Sequence, residues 1–185
     1  MKFSISITEK LARVSYNINL TTILDTMKER HLGPRDIHPG DYVFAKIDFQ
    51  EDNTSSEVII VEIDQVALNY VTVKEGSGYT KYAWSEIFPI PLTEENLRRF
   101  DFHLVSSLFD RYPIYAKGLV SIDTCANWAG DQIGSRVYFN DGDGEDVMYL
   151  HEVQQYVYRQ SAGTYDFDLK TAPFAHFCYP MVRRC

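Results

Sequence analysis

Short runs of β type, separated by tight turn signals, crowd the stretch between Asp41 and Leu92 and limit the folds that it can adopt. The runs cover residues 42–47, 58–61, 67–73 and 79–84. Pro39-Gly40 and Gly76-Ser77-Gly78 mark turns, and Asp64-Gln65 indicates a tight connection. Because closing a sheet of short strands leaves few exposed strand edges, this spacing is typical of a small antiparallel barrel. We predict an SH3-like barrel over residues 36–92.

The segment before this barrel has a hairpin pattern followed by a helix pattern. Residues 1–20 alternate apolar and polar positions on both sides of a polar step, as two paired strands do. Thr22 with Asp25 resembles a capping box, and the helix stops at Gly33-Pro34, since proline cannot continue it. We predict an N-terminal β-hairpin and a short helix within residues 1–35.

After the barrel, helix signals alternate with further runs of β type. Pro89-Ile90-Pro91 predicts an extended strut, and Thr93 caps a short helix that ends near Phe100. The runs of β type cover residues 102–109, 115–122, 133–139 and 147–150, with a turn at 140–144. A helix follows from His151 to about residue 161. Its apolar side carries Leu150, Val153, Tyr156 and Val157.

Together these patterns predict an α+β protein with four segments. They are the hairpin and helix at 1–35, the SH3-like barrel at 36–92, an antiparallel β-hairpin–helix unit at 93–170 and an aromatic tail at 171–185. The tail either docks on the body or stays loose. Because no flexible Gly/Ser linker separates the segments, we expect the barrel and the C-terminal unit to pack together.

The charge of the chain narrows the classes of partner. Eighteen Lys and Arg against 26 Asp and Glu give a net charge of −8, which repels nucleic-acid phosphates unless basic residues gather on one face. The densest basic clusters are only Arg98-Arg99 and Arg183-Arg184. Residues 41–92 hold three lysines against nine carboxylates. We therefore expect a protein partner that is basic or neutral, and no nucleic acid.

Hydropathy and cysteine content bear on location. No run approaches the ~18 consecutive apolar residues of a membrane span, so we expect no membrane partner. The alternating start of the chain lacks the continuous apolar segment of a signal peptide. Cys125, Cys178 and Cys185 form no CxxC pair, and an odd number suits reduced thiols. We predict a reducing, cytoplasmic setting.

Two blocks of sequence carry a resemblance to a family. The block at 82–102, YAWSEIFPIPLTEENLRRFDF, resembles a recurrent block in uncharacterised small proteins of Bacteroidetes genomes and their prophages, in which a short barrel ends in a PIPLT-type strut and a helix. The block at 147–169, VMYLHEVQQYVYRQSAGTYDFDL, is similar to the closing strand and helix of the same family. The resemblance implies a fold and a mobile-element setting. It supplies no activity and no functional residues.

An acidic cluster offers one candidate for chemistry. Positions 1, 3, 5 and 12 of a calcium-loop template correspond to Asp141, Asp143, Glu145 and Glu152. The glycine that the template needs at position 6 is Asp146 instead, and a plain hairpin turn explains the same residues. His151 beside Glu152 is poorly placed for joint catalysis, because neighbouring residues on a helix do not face the same way; a neutral packing or capping role fits it better. A metal-assisted hydrolase stays an alternative.

The aromatic residues of the barrel are the stronger candidates for function. Strand alternation places some of them in the core and some on the surface, where tyrosine and tryptophan give a large contact area with a polar tip. The predicted contact residues are Tyr70, Tyr79, Tyr82 and Trp84. We predict a non-enzymatic protein-binding or adaptor protein without metal or cofactor. A structural subunit of a phage or another assembly is the other alternative, and the oligomeric state stays open.

Overall fold

The structure, a computed structural model, describes residues 31–48, 56–75, 78–108, 112–126 and 132–165, together with Phe167 and Leu169. Within these ranges the chain forms two five-stranded antiparallel sheets, two α-helices and one 3₁₀ helix. The predicted α+β class is confirmed. The predicted hairpin of residues 1–20, the helix that begins at Thr22 and the tail at 171–185 lie outside the described residues.

The first sheet contains the strands predicted for the barrel. They are β1 (Tyr42–Asp48), β2 (Ser56–Val66), β3 (Tyr70–Glu75), β4 (Gly78–Ala83) and β5 (Ile87–Phe88). Their order is β4-β3-β2-β1-β5, and a 3₁₀ helix at Trp84–Glu86 connects β4 to β5. No ladder pairs β4 with β5 in the part of the chain that the structure describes. The sheet is therefore open, and the predicted closure into a barrel is not seen.

The connection between β2 and β3 differs from the prediction. Asp64-Gln65 lies inside β2, where the register with β3 shifts between Ile63 and Gln65. Such a bulge inserts an extra residue and bends the strand, so the strand continues past the polar pair. The chain turns at residues 67–69 instead, where the Ala67 N–H donates to the Tyr70 carbonyl at 2.9 Å.

The second sheet is a consecutive meander. Its strands are β6 (His103–Leu108), β7 (Tyr112–Lys117), β8 (Val120–Ala126), β9 (Gln132–Phe139) and β10 (Glu145–Val147), in the order β10-β9-β8-β7-β6. The single strand predicted at 115–122 is wrong, because Gly118 and Leu119 form a two-residue turn between β7 and β8. Gly118 has a φ of +59°, the conformation that a tight hairpin turn requires of glycine.

Two helices complete the architecture: α1 (Glu94–Arg99) and α2 (Leu150–Gln160). The Thr93 cap is confirmed, since its hydroxyl oxygen accepts from the Asn96 N–H at 3.2 Å. The predicted buried side of α2 is also confirmed. The strand predicted at 147–150 ends earlier, because the backbone of Leu150 already enters α2 while its N–H donates to the Ile90 carbonyl of the proline strut at 2.9 Å. None of the helices in the described ranges has the length and hydropathy that a membrane-crossing helix needs.

Two clusters of buried apolar side chains hold these elements together. The first core joins one face of β1 to α1, the second sheet and α2; its members include Tyr42, Phe44, Leu97, Ile122, Val137 and Val153. The second core lies on the opposite face of the first sheet; its members include Val43, Ala45, Val61, Ile63, Val71, Val73 and Tyr82. Successive residues of a strand point to opposite faces, so β1 is buried on both sides.

Candidate binding surface

The face of the first sheet that points away from the second core is covered over one half and exposed over the other. On β1 and β2 this face carries Tyr42, Phe44 and Val58, which are buried in the first core. On β3 and β4 the corresponding positions are exposed, except for Thr72, which is buried. We define the β3–β4 face as Tyr70, Thr72, Lys74, Tyr79, Lys81 and Ala83, together with the exposed residue Leu68 in the turn that precedes β3.

Strand register places these residues side by side. In the β3–β4 ladder, Lys74 lies opposite Tyr79, Thr72 opposite Lys81, and Tyr70 opposite Ala83. The residues between them along β3, Val71 and Val73, are buried in the second core. Alternation along a strand therefore puts the lysines and tyrosines on one common side.

The four aromatic residues predicted as contacts divide into exposed and buried pairs. Tyr79 has 62% of its surface exposed and Tyr70 has 36%, whereas Tyr82 has only 6% and belongs to the second core. Trp84 is half-buried against the same core, and its indole N–H donates to the Leu68 carbonyl at 3.0 Å. Tyr82 and Trp84 thus pack on the second-core side of the sheet. Of the four predicted residues, only Tyr70 and Tyr79 can touch a partner over a wide area.

Three residues of the face were missed by reasoning from sequence. Leu68 is 80% exposed at the tip of the β2–β3 turn, where its carbonyl is held by the Trp84 indole. Lys74 and Lys81 are exposed, and the Lys81 ammonium lies 4.6 Å from the centre of the Tyr70 ring, within the range of a cation–π contact. The alternation of residues 70–74 with the buried valines is the signal that could have found Lys74, and the alternation of residues 79–83 around Tyr82 could have found Lys81.

Local charge on the β3–β4 face differs in sign from that of the surrounding segment. The six outward positions of β3 and β4 hold Lys74 and Lys81 and no carboxylate, and one exposed carboxylate, Glu62 of β2, lies beside Lys74 in the register. The nearby Glu86 carboxylate accepts from the Ala83 N–H at 2.7 Å, which closes the start of the 3₁₀ helix. The prediction of a basic or neutral partner used the net charge of residues 41–92, and this face carries the opposite sign.

The acidic residues considered for metal chemistry take part in separate structural contacts. Glu145 pairs with Arg159 of α2 at 2.7 Å. The Glu152 carboxylate accepts from the N–H groups of Met148 and Tyr149, at 2.7 and 3.1 Å, and so caps the start of α2. In the described ranges, no group of three or more His, Cys, Asp or Glu residues is arranged to hold a metal ion.

Asp141 instead belongs to a hairpin turn. Asn140 and Asp141 have φ values of 49° and 56°, and the Gly142 N–H donates to the Phe139 carbonyl at 3.0 Å. Two successive residues with positive φ are typical of the type I′ turn, which asparagine and aspartate tolerate. This confirms the turn predicted at 140–144.

Two buried titratable residues elsewhere also serve packing. His151 is buried, and its ring stacks on Tyr149 with the ring centres 5.9 Å apart. Asp41 is buried at the start of β1, and burial raises the pKa of its carboxyl from 3.8 to about 6 against the lowering effect of its hydrogen bonds. Its oxygen Oδ2 accepts from the His38 N–H at 2.7 Å and from the Gln155 side chain at 2.8 Å. Both hydrogen bonds tie the turn before β1 to its surroundings.

Comparison with known protein families, with curated proteins and with solved structures finds no match to this chain. The resemblance carried by residues 82–102 and 147–169 therefore stays a prediction.

Proposed function

We propose that this chain is a non-enzymatic protein-binding or adaptor protein whose contact surface is the β3–β4 face. The observation that carries the proposal is the exposure of Leu68, Tyr70 and Tyr79 at the end of the first sheet that the first core leaves uncovered among the described residues. Leu68 and Tyr70 lie at one end of the β3–β4 ladder, and Tyr79 lies at the other, opposite Lys74. Exposed apolar groups on one face mark interaction sites, and tyrosine is enriched at protein interfaces. The strands that carry the face are buried on their other side in the second core through Val71, Val73 and Tyr82.

An SH3-like arrangement of the first sheet is part of this proposal. It is supported by the strand order β4-β3-β2-β1-β5, by the bulge that bends β2 and by the 3₁₀ helix before β5. Small barrels with aromatic surfaces often bind extended protein segments, which is an argument by analogy. A cytoplasmic protein of phage or mobile-element origin is the setting that we propose with it.

Selection from a random peptide library displayed on phage tests the proposed surface. Peptides enriched on the wild-type protein are synthesised, and their affinities are measured for Tyr79→Ala, Leu68→Ala and the control Tyr158→Ala. Tyr158 is an exposed tyrosine on α2. The control therefore removes the same kind of side chain from a surface outside the β3–β4 face. We expect a loss of about tenfold or more for the two face variants, with unchanged melting temperatures. If no enriched peptide loses affinity in either face variant, the proposed function is wrong.

A structural subunit is the second candidate, and one observation favours it. Among the strands that the structure describes, β6 is the outer strand of the second sheet, with Leu104 and Val105 exposed at 49% and 60%. Residues 103–108 contain no Lys, Arg, Asp or Glu, the residues that usually protect an exposed edge from pairing. If a second copy pairs along this edge, Val105→Lys lowers the mass measured by light scattering and Leu119→Lys, at an exposed turn, does not. A wild-type mass that stays monomeric at all concentrations contradicts this candidate.

A metal-assisted hydrolase has the weakest support of the three. Two of the four carboxylates that it needs, Glu145 and Glu152, are engaged with Arg159 and with the backbone at the start of α2.

A further inference from the structure

We propose that the segment recognised by the β3–β4 face is acidic, with carboxylates that pair with Lys74 and Lys81 while its apolar side chains pack on Tyr70 and Tyr79. This inference rests on the proposed function and adds the chemical class of the partner. The charge and register of the exposed strands carry it.

The two lysines are close neighbours. Lys74 lies opposite Tyr79, and Lys81 is two residues further along β4, so the lysines are diagonal neighbours on one face. Such positions are roughly 7–8 Å apart in an antiparallel pair. Two positive charges at this separation repel each other, and no outward position of β3 or β4 offers a carboxylate. Glu62 of β2 lies beside Lys74 in the register, where its carboxylate accepts from the Tyr42 hydroxyl at 3.1 Å, whereas Lys81 faces Thr72 across the ladder. A carboxylate from a partner would relieve that repulsion.

Each lysine also borders a tyrosine. The Lys81 ammonium lies over the Tyr70 ring at 4.6 Å, and Lys74 forms a cross-strand pair with Tyr79. The surface therefore places a positive charge beside aromatic area twice, once in the directly opposite pair Lys74–Tyr79 and once in the diagonal pair Lys81–Tyr70. A segment that carries Asp or Glu next to an apolar residue matches this arrangement. Complementary charge adds to the rate and the specificity of such an encounter.

An acidic protein segment fits these observations better than a nucleic acid. Nucleic-acid binding draws its affinity from the neutralisation of several phosphates, commonly about 6–10 in a specific complex. This face offers two lysines on a chain whose net charge is −8. Two positive charges can pair with two carboxylates of a short segment, whereas a phosphate backbone would meet repulsion outside the face.

The enriched peptides of the library selection test this inference. We expect their Asp and Glu content to exceed that of the unselected library, and their affinity to fall about tenfold in Lys74→Glu and in Lys81→Glu. Arg35→Glu makes the same change of charge at an exposed residue before β1 and should leave the affinity within about twofold. Lys74→Arg and Lys81→Arg keep the charge and should retain binding. Affinity should also fall as salt is raised.

The outcomes separate this inference from the proposed function. Peptides that depend on Tyr79 but carry no excess of carboxylates, and that tolerate both Lys→Glu changes, overturn the acidic partner and leave the binding surface in place. Peptides whose affinity is unchanged by Tyr79→Ala and by Leu68→Ala overturn the proposed function itself. A thymidine oligonucleotide that binds more tightly than the peptides, and that the Lys→Glu changes weaken, overturns the acidic partner in favour of nucleic acid.

Discussion

The side-chain oxygen Oε1 of Gln154 accepts a 2.8 Å hydrogen bond from the backbone N–H of Tyr42, across 112 positions of sequence. The nitrogen of the same amide donates to the Gly40 carbonyl at 2.8 Å. One side chain of α2 thus satisfies two backbone groups in the turn that leads into β1. It fixes the helix against the first sheet at the place where the apolar contacts of the first core begin.

Gln154→Ala should therefore lower the free energy of unfolding by about 2 kcal/mol, because a backbone donor and a backbone acceptor both lose their partner. Gln160→Ala is the matched control, since Gln160 is an exposed residue of the same helix. It should cost less than about 0.5 kcal/mol. Urea denaturation of the three proteins measures both effects. Equal losses in the two variants would mean that the Gln154 amide adds nothing specific.

Asp41 should give the unfolding free energy a distinct pH dependence. Its folded-state pKa of about 6 exceeds the ordinary 3.8, so the folded protein binds the proton more tightly than the unfolded chain. The stability that this provides is complete below about pH 4 and is lost as the pH rises through about 6. Asp41→Asn removes this dependence and can keep both hydrogen bonds, because a single oxygen accepts them.

Between about pH 4 and pH 6, the free energy of unfolding of Asp41→Asn should therefore rise relative to that of the wild type, by up to about 3 kcal/mol. The measurement is urea denaturation at a series of pH values. Asp101→Asn changes an exposed aspartate, and its curve of unfolding free energy against pH should run parallel to that of the wild type. Parallel curves for Asp41→Asn as well would contradict the buried, proton-binding state of Asp41.

Gly118→Ala should destabilise the fold, and Gly134→Ala should not. At Gly118 the φ of +59° disfavours any L side chain by about 1–2 kcal/mol, and a Cβ would also meet the Tyr165 hydroxyl. At Gly134, in β9, a Cβ would have no atom within 4 Å and the backbone is ordinary, so alanine should be neutral or slightly stabilising. Melting temperatures report the difference. A reversed order would mean that the β7–β8 turn relaxes freely.

Calcium, magnesium and manganese should each leave the protein unchanged at about 1 mM, a concentration that fills even weak calcium sites. The reason is that Glu145 and Glu152 are engaged with Arg159 and with the start of α2. Calorimetry and melting curves test this. A rise in melting temperature with one ion, abolished by Asp141→Asn, would return the hydrolase to consideration.

Features set by local sequence were predictable. Thr93 caps α1 because its hydroxyl reaches a backbone N–H three residues on, and the buried side of α2 follows from the helical period alone. The turn at Asn140 and Asp141 follows from their tolerance of positive φ. Each of these depends on neighbours within four residues.

Features set by distant contacts were not predictable in the same way. Alternation shows that Phe44 and Val43 point to opposite faces, but not that a second sheet and α2 cover the Phe44 side. For the same reason the exposure of Tyr70 and the burial of Tyr82 could not be assigned. The bulge in β2 and the turn at Gly118 were missed because apolar residues continue on both sides of each.

The burial of β1 on both faces has a consequence for how this chain can change over generations. Tyr42 and Phe44 must suit the partners that they meet around α2, while Val43 and Ala45 must suit the interior of the first sheet. A substitution tolerated by one set of neighbours still has to keep the backbone position that the other set requires. Neither the first sheet nor the part of the chain that packs on its outer side, the second sheet with α1 and α2, can therefore be exchanged for a homologous piece alone. The two parts should be inherited together and should diversify as one unit.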